Sequence, residues 1–182
     1  MPAIDLPFER AEYDRRLTLV RHAMEAAGLD ALFVTDPSNQ AWITGYDGWS
    51  FYVHQGVIVL PDDDPVWWGR NQDTNGALRT VWMSADRVRG YADNYVQSTE
   101  RHPMQDLAEV LRAHDLESAR IGVEMDNYYY SAKAHATLCA ALPRAEVVDA
   151  TALVNRQRTI KSAPELDYMR KAAAISEKIV DG

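Results

Sequence analysis

Cysteine occurs once in 182 residues, at Cys139. No disulfide can close within the chain, and the missing cysteine framework suits a reducing compartment, so a cytoplasmic location is expected. Basic residues are also short: 19 Lys and Arg face 27 Asp and Glu, leaving a net charge of -8. That field repels phosphate backbones and anionic lipid, so nucleic acid and membrane are not expected partners. No stretch approaches the ~20 apolar residues that span a bilayer. The opening Met1-Pro2-Ala3-Ile4-Asp5-Leu6 has neither a basic start nor a sustained apolar core, so secretion is not expected. Glycine never takes the G-x-G-x-x-G or Walker spacing between a strand and a helix, and nucleotide binding has no support. His22, His54, His102, His114 and His135 are scattered over different elements without ligand spacing, and no metal site within the chain is expected. Asp62-Asp63-Asp64 lacks the alternating ligands and glycine of a calcium loop and reads as a solvated turn.

What is present describes an α/β domain. With 47% hydrophobic residues, the chain can bury one ordinary core plus an appendage. Tyr13, Leu17, Val20, Met24 and Ala27 recur at helical spacing, and Gly28 stops that helix. Leu29 to Thr35 reads as a buried strand, and Asp36-Pro37-Ser38-Asn39 opens a short helix through Trp42 and Ile43. From Ser50 to Leu60 two apolar faces alternate as in a strand, and Val66 to Gly69 returns as its hairpin partner across the Pro61–Pro65 turn. Gln72 to Met83 reads as a helix weakened by Asn75 and Gly76, and Arg87 to Tyr91 as a short edge strand. A helix from Pro103, a strand from Arg120 to Met125, a helix from Ser131 to Leu142, a strand from Glu146 to Val148 and a helical segment from Thr151 to Thr159 follow. Strands and helices mixed throughout predict three layers, α/β/α, and the hairpin makes the sheet mixed.

No local motif assembles an active site, so no catalytic residue is assigned. Glu124 and Asp126, after the Ile121-Gly122-Val123 strand, are either paired carboxylates or helix caps, with capping favoured for Asp126. Cys139 reads as a small core residue. Tyr128-Tyr129-Tyr130 is either a recognition surface or a loop packed over the sheet edge. The densest chemistry is Trp49, Phe51, Tyr52, His54, Trp67, Trp68, Arg70, Asp73 and Trp82: either apolar walls of a small-ligand pocket with a few ionisable groups, or core tryptophans edged by polar residues. At the end, Ser162, Pro164 and Glu165 open a further helix. Tyr168, Ala172, Ile175 and Ile179 recur on one of its faces with no later domain to cover them. The chain is therefore expected to be the first part of a longer protein.

Asp36-Pro37-Ser38-Asn39, Trp42-Ile43-Thr44-Gly45-Tyr46, Ile121-Gly122-Val123-Glu124 and Arg158 through Ala173 resemble the N-terminal domain of the creatinase, prolidase and aminopeptidase P family over nearly the whole chain. The segments Tyr46 to Gln55, Gly69 to Asp73, Tyr95 to Met104 and Glu124 to Tyr129 resemble the ectoine-hydrolysing branch of that family. The resemblance implies a ribonuclease-H-like domain over 1–158, and over 159–182 a linker and the first helix of a missing pita-bread catalytic domain. It implies that the catalytic groups, and any divalent metal, belong to that missing domain; no cofactor is assigned to this chain. It also implies a homodimer, docking against the chain's own catalytic domain, and walls supplied to the partner's active site for a small zwitterionic substrate. An amidinium is a delocalised cation that an indole or phenol face can hold, and a carboxylate asks for a guanidinium. Trp49, Tyr52 and Arg70 would supply those functions, with His54 or Asp73 orienting polar atoms. The alternatives are the N-terminal domain of an Xaa-Pro peptidase or creatinase-like amidinohydrolase, and a free-standing interaction module. The last should fold its terminal helix onto its own sheet.

Overall fold

The computed structural model describes residues 6–180. Six strands form one sheet in the order β4-β3-β2-β1-β5-β6: β1 (Ala31–Val34), β2 (Gly56–Val59), β3 (Val66–Arg70), β4 (Val88–Tyr91), β5 (Arg120–Val123) and β6 (Glu146–Asp149). β1 runs antiparallel to β2 and parallel to β5, and β3 runs antiparallel to β2 and parallel to β4, so the sheet is mixed as the sequence predicts. Side chains alternate across each strand. Phe33, Ile58 and Trp68 therefore enter one core, closed by α4 (Pro103–Arg112) and α5 (Ala132–Ala141). Leu32, Val57 and Trp67 enter the other, closed by α1 (Arg10–Ala26), α2 (Pro37–Thr44), α3 (Thr74–Thr80) and α6 (Leu153–Gln157). The result is a three-layer α/β/α domain.

The stripe Tyr13, Leu17, Val20 and Met24 buries α1 on the sheet. Ala27, read as its continuation, is exposed at the C-cap. Asp36 accepts from the Asn39 N–H at 3.0 Å to start α2, and Gly45 at φ 82° ends it. A side chain there would also press within 2.9 Å of the Thr80 carbonyl.

Two expectations are corrected. The strand read over Ser50 to Leu60 pairs only from Gly56, because β1 and β3 offer no partner to the residues before it. Those residues, with Trp49 before them, become a loop in which Trp49, Phe51 and Tyr52 are all more than half exposed. The Gln72–Met83 helix is a tight turn at Asn71–Asp73 followed by α3, and it stops before Val81.

The last helix, α7 (Ala163–Val180), has no buried residue. Tyr168, Ile175 and Ile179 stand 49%, 61% and 74% exposed. The far part of the apolar face seen in the sequence, at Ile175 and Ile179, is thus uncovered by this domain, whereas Tyr168 is half covered.

Candidate functional site

The C-terminal ends of β3 and β4 carry the polar rim. Their parallel register sets Arg70 opposite Tyr91. Two residues beyond Tyr91, Asp93 accepts from Arg70 Nε at 2.8 Å, while Arg70 Nη1 donates to the Tyr52 hydroxyl at 3.3 Å. Asp93 holds this guanidinium in place and in turn sits below the usual carboxylate range because Arg70 hydrogen-bonds to it. Burial pushes the Asp73 carboxyl up, against the pull of Arg70.

Tyr91 donates to the His54 carbonyl at 2.7 Å, tying the loop to β4. The His54 imidazole Nδ1 lies 3.3 Å from the Tyr129 carbonyl, and its ring centroid lies 5.0 Å from that of His102. Thus two histidines that the sequence separates are brought together, their rings tilted at 42°. His102 caps α4 by accepting from the Met104 N–H at 3.2 Å, and Gln105 closes the capping box. Burial, the facing His54 and Lys133 together push the His102 imidazole down to about 4, and burial also lowers His54. A cavity of about 180 Å³ lies between Tyr52, His54, Tyr91, Tyr95, Arg101 and His102.

Of the sequence-derived candidates, Tyr52, His54 and Arg70 converge on this rim, and Asp73 lies within electrostatic reach of Arg70. Trp49 stands further out, joined through Phe51: ring centroids are 5.9 Å apart for Trp49 and Phe51 and 5.5 Å for Phe51 and Tyr52. Trp67 and Trp68 are core, and Trp82 is fixed by its indole N–H on the Ile43 carbonyl at 2.8 Å. The core reading of that cluster thus holds for Trp67 and Trp68, while Trp49, Phe51 and Tyr52 stand exposed. Asp93, Tyr91 and His102 went unassigned; the predicted edge strand ending at Tyr91 was the available signal for the first two.

The remaining candidates resolve as follows. Glu124, 2% exposed, accepts from the backbone N–H of Thr35 and of Asp36, both at 2.8 Å, and from Asn39 Nδ2 at 2.5 Å. It is a buried cap for the start of α2 rather than a free acid or base. The helix cap expected of Asp126 is supplied instead by Ser131, which accepts from the Ala134 N–H at 3.1 Å. Cys139 is half-buried with its sulfur 3.6 Å from His135 Nε2, not a core residue. The three tyrosines divide: Tyr130 is buried, while Tyr128 is fully exposed.

His102 gives a pH prediction. Its folded-state value lies below the ordinary 6.5, so its contribution to stability is complete above pH 6.5 and is lost as pH falls toward 4. In H102N the asparagine oxygen can still cap but does not titrate. The urea midpoint of the unsubstituted chain is therefore expected to fall relative to that of H102N between pH 6.5 and 4. Parallel curves would remove the charge-linked role.

A mixed six-stranded sheet with helices on both faces and a projecting terminal helix defines a class of three-layer α/β/α domain. Among the described residues, no three or more His, Cys, Asp and Glu side chains are placed to share a metal ion, and no helix is long and apolar enough to cross a membrane. Residues 16–160 match the Creatinase/Prolidase N-terminal domain, and the chain belongs to that family. It is 51% identical over 176 residues to the ectoine hydrolase of Halomonas elongata, covering 96% of this chain and 44% of that protein. A proline dipeptidase structure from Streptococcus pneumoniae superposes with a TM-score of 0.64 at 26% identity, over 80% of this chain and 98% of that one. The dipeptidase PepE of Mycobacterium ulcerans shares the fold with a TM-score of 0.70 at 23% identity, over 96% of this chain and 44% of that one. The chain spans less than half the length of the curated relatives it matches.

Proposed function

We propose that this chain is the non-catalytic N-terminal domain of a cytoplasmic hydrolase of carbon–nitrogen bonds that opens the cyclic amidine of ectoine to acetylated diaminobutyrate. Residues 1–158 are the domain proper, and 159–182 are the linker and first helix of a pita-bread catalytic domain. Bond cleavage, with any divalent metal it uses, resides in that second domain. In a homodimer, the rim around Arg70 walls the partner subunit's active site. The observation carrying this reading is the exposed run of rings Trp49, Phe51 and Tyr52 that ends on the Arg70 guanidinium.

The chemistry fits a compact zwitterion. An amidinium has its charge spread over a plane and stacks on the face of Trp49 or Tyr52. Arg70 spends Nε on Asp93 and directs Nη1 toward the Tyr52 hydroxyl, so its outer guanidinium edge is the part offered to a carboxylate. His54 and Asp73 are assigned to orient the ligand's polar atoms rather than to react with it. The 51% identity to an ectoine hydrolase supports the substrate assignment.

A second reading, an Xaa-Pro dipeptidase domain, is supported by the 26% identity and shared fold with the proline dipeptidase. The uncovered apolar face of α7 argues against a free-standing interaction module. Assay of the intact protein on ectoine and on Xaa-Pro dipeptides separates the first two. On ectoine, R70A is expected to raise KM by about 10 to 100-fold, the cost of a lost charge-assisted hydrogen bond, with kcat little changed. An unchanged KM would sink the Arg70 role.

A further inference from the structure

Arg16 lies beside the apolar stripe of α1, yet its side chain is 1% exposed. Its guanidinium lies 4.0 Å from the Phe8 ring centroid and 5.3 Å from those of Tyr13 and Trp42. The donors point in three directions: Nε to Glu12, Nη1 to the Trp42 carbonyl and Nη2 to Glu165, each at 3.0 Å. Glu165 is in the first turn of α7 and is itself fully engaged. Oε1 also accepts from the Trp42 indole N–H at 2.6 Å, and Oε2 accepts from the Ser162 N–H at 2.7 Å in a capping box. One carboxylate therefore starts α7 and attaches it to α1 and α2.

Two more ties act on the same segment. Tyr168 donates to the Pro7 carbonyl at 2.7 Å with its ring against Phe8, and Arg158 Nη1 donates to Asn39 Oδ1 at 2.6 Å. Beyond Met169 the helix stands clear, with Ile175 and Ile179 exposed. We propose that Arg16, acting through Glu165, is a positioning residue that fixes the direction of α7 and so the placement of whatever follows it relative to the rim around Arg70. The lever is long. At 1.5 Å of rise per residue, a tilt of ~10° at Glu165 moves the far end of α7 by about 4 Å. A misplacement of only ~1 Å at an active site can cost about a hundredfold in rate. The catalytic consequence rests on the function proposed above; the orientation of α7 does not.

The test places spin labels at Thr18→Cys on α1 and Ile175→Cys on α7, in a Cys139→Ser background, and measures their separation by pulsed electron resonance. The otherwise unsubstituted chain is expected to give a narrow distance distribution. E165A is expected to broaden it by several ångströms while the urea midpoint of the body stays in place. E177A, on the free part of α7, should leave it narrow. An unchanged distribution in E165A overturns the proposal. If E165A unfolds the body, W42F, which deletes the indole N–H, takes its place: broadening supports the assignment and a narrow distribution overturns it. In the intact protein, E165A is expected to lower kcat/KM on ectoine by about tenfold or more. Failure of that arm alone, with broadening observed, counts against the ectoine reading and leaves the positioning of α7 through Glu165 standing.

Discussion

W68A is expected to lose about 3–5 kcal/mol of folding stability, the usual cost of emptying a large aromatic site in a packed core. Trp68 is fully buried on β3, edge-on to Phe33 at 5.9 Å and tilted against Tyr91 at 4.8 Å. Its indole N–H donates to Asp106 Oδ1 on α4 at 2.8 Å, so it joins the sheet to the helix layer by packing and by hydrogen bond. With a urea slope of ~2 kcal/mol/M, the midpoint should fall by about 2 M. The neighbouring tryptophan supplies the control. Trp67, equally buried on the opposite face, has an indole N–H with no partner among the described residues. W68F should therefore destabilise by about 1 kcal/mol for its lost hydrogen bond, whereas W67F removes an unsatisfied donor and should lose less. Equal losses in the two phenylalanine variants would refute this account.

The same pair shows what was legible before the fold was known. Short apolar runs bounded by turn signals identify β1 and β5, alternation identifies the segment that contains β2, and the Val66–Gly69 return gives β3 as its hairpin partner, because these signals are local. For the tryptophans the sequence leaves two readings open, core or pocket wall, and does not choose between them. Whether Trp49 or Trp67 is exposed depends on which residues find a ladder partner, and Ser50 to Gln55 find none. The rim was legible in residue type, since Tyr52, His54 and Arg70 do converge. Its anchors were not, because Asp93 reaches Arg70 across a parallel β3–β4 pairing and His102 reaches His54 from the start of another helix. Arg16 gave no signal. A helical wheel puts it at the flank of an apolar stripe, and the carboxylate that helps bury it comes from 149 residues away. In the sequence Glu124 is only one of two acidic residues at a strand end; its partners lie in the turn between β1 and α2 and in the first turn of α2, 85 to 89 residues distant.

Glu124 gives the second large effect. E124A is expected to cost about 3 kcal/mol or more, because it leaves the Thr35 N–H, the Asp36 N–H and one Asn39 donor without their acceptor in a poorly hydrated site, at ~1–3 kcal/mol for each orphaned group. The loss should not stay local. Asn39 also donates to Asn155 at 2.9 Å and accepts from Arg158 at 2.6 Å, so an Asn39 released from Glu124 loosens the segment that leads to α7. Amide exchange over residues 153–162 should therefore quicken in E124A. E124Q keeps one oxygen for the two backbone donors but turns an NH2 group toward Asn39 Nδ2, and is expected to cost less, ~1–2 kcal/mol. The pH dependence separates charge from shape. Burial raises the Glu124 carboxyl above its ordinary 4.5, although the N–H groups of Asp36 and Thr35 and the Asn39 amide pull it back. The folded domain then holds that proton more readily than the unfolded chain, so this contribution is present below pH 4.5 and is lost as pH rises through the folded-state value. That sign is opposite to the His102 effect, and E124Q should abolish it while leaving the His102 dependence intact. If the pH profile of E124Q superimposes on that of the unsubstituted chain, Glu124 does not carry the buried, proton-linked charge described here.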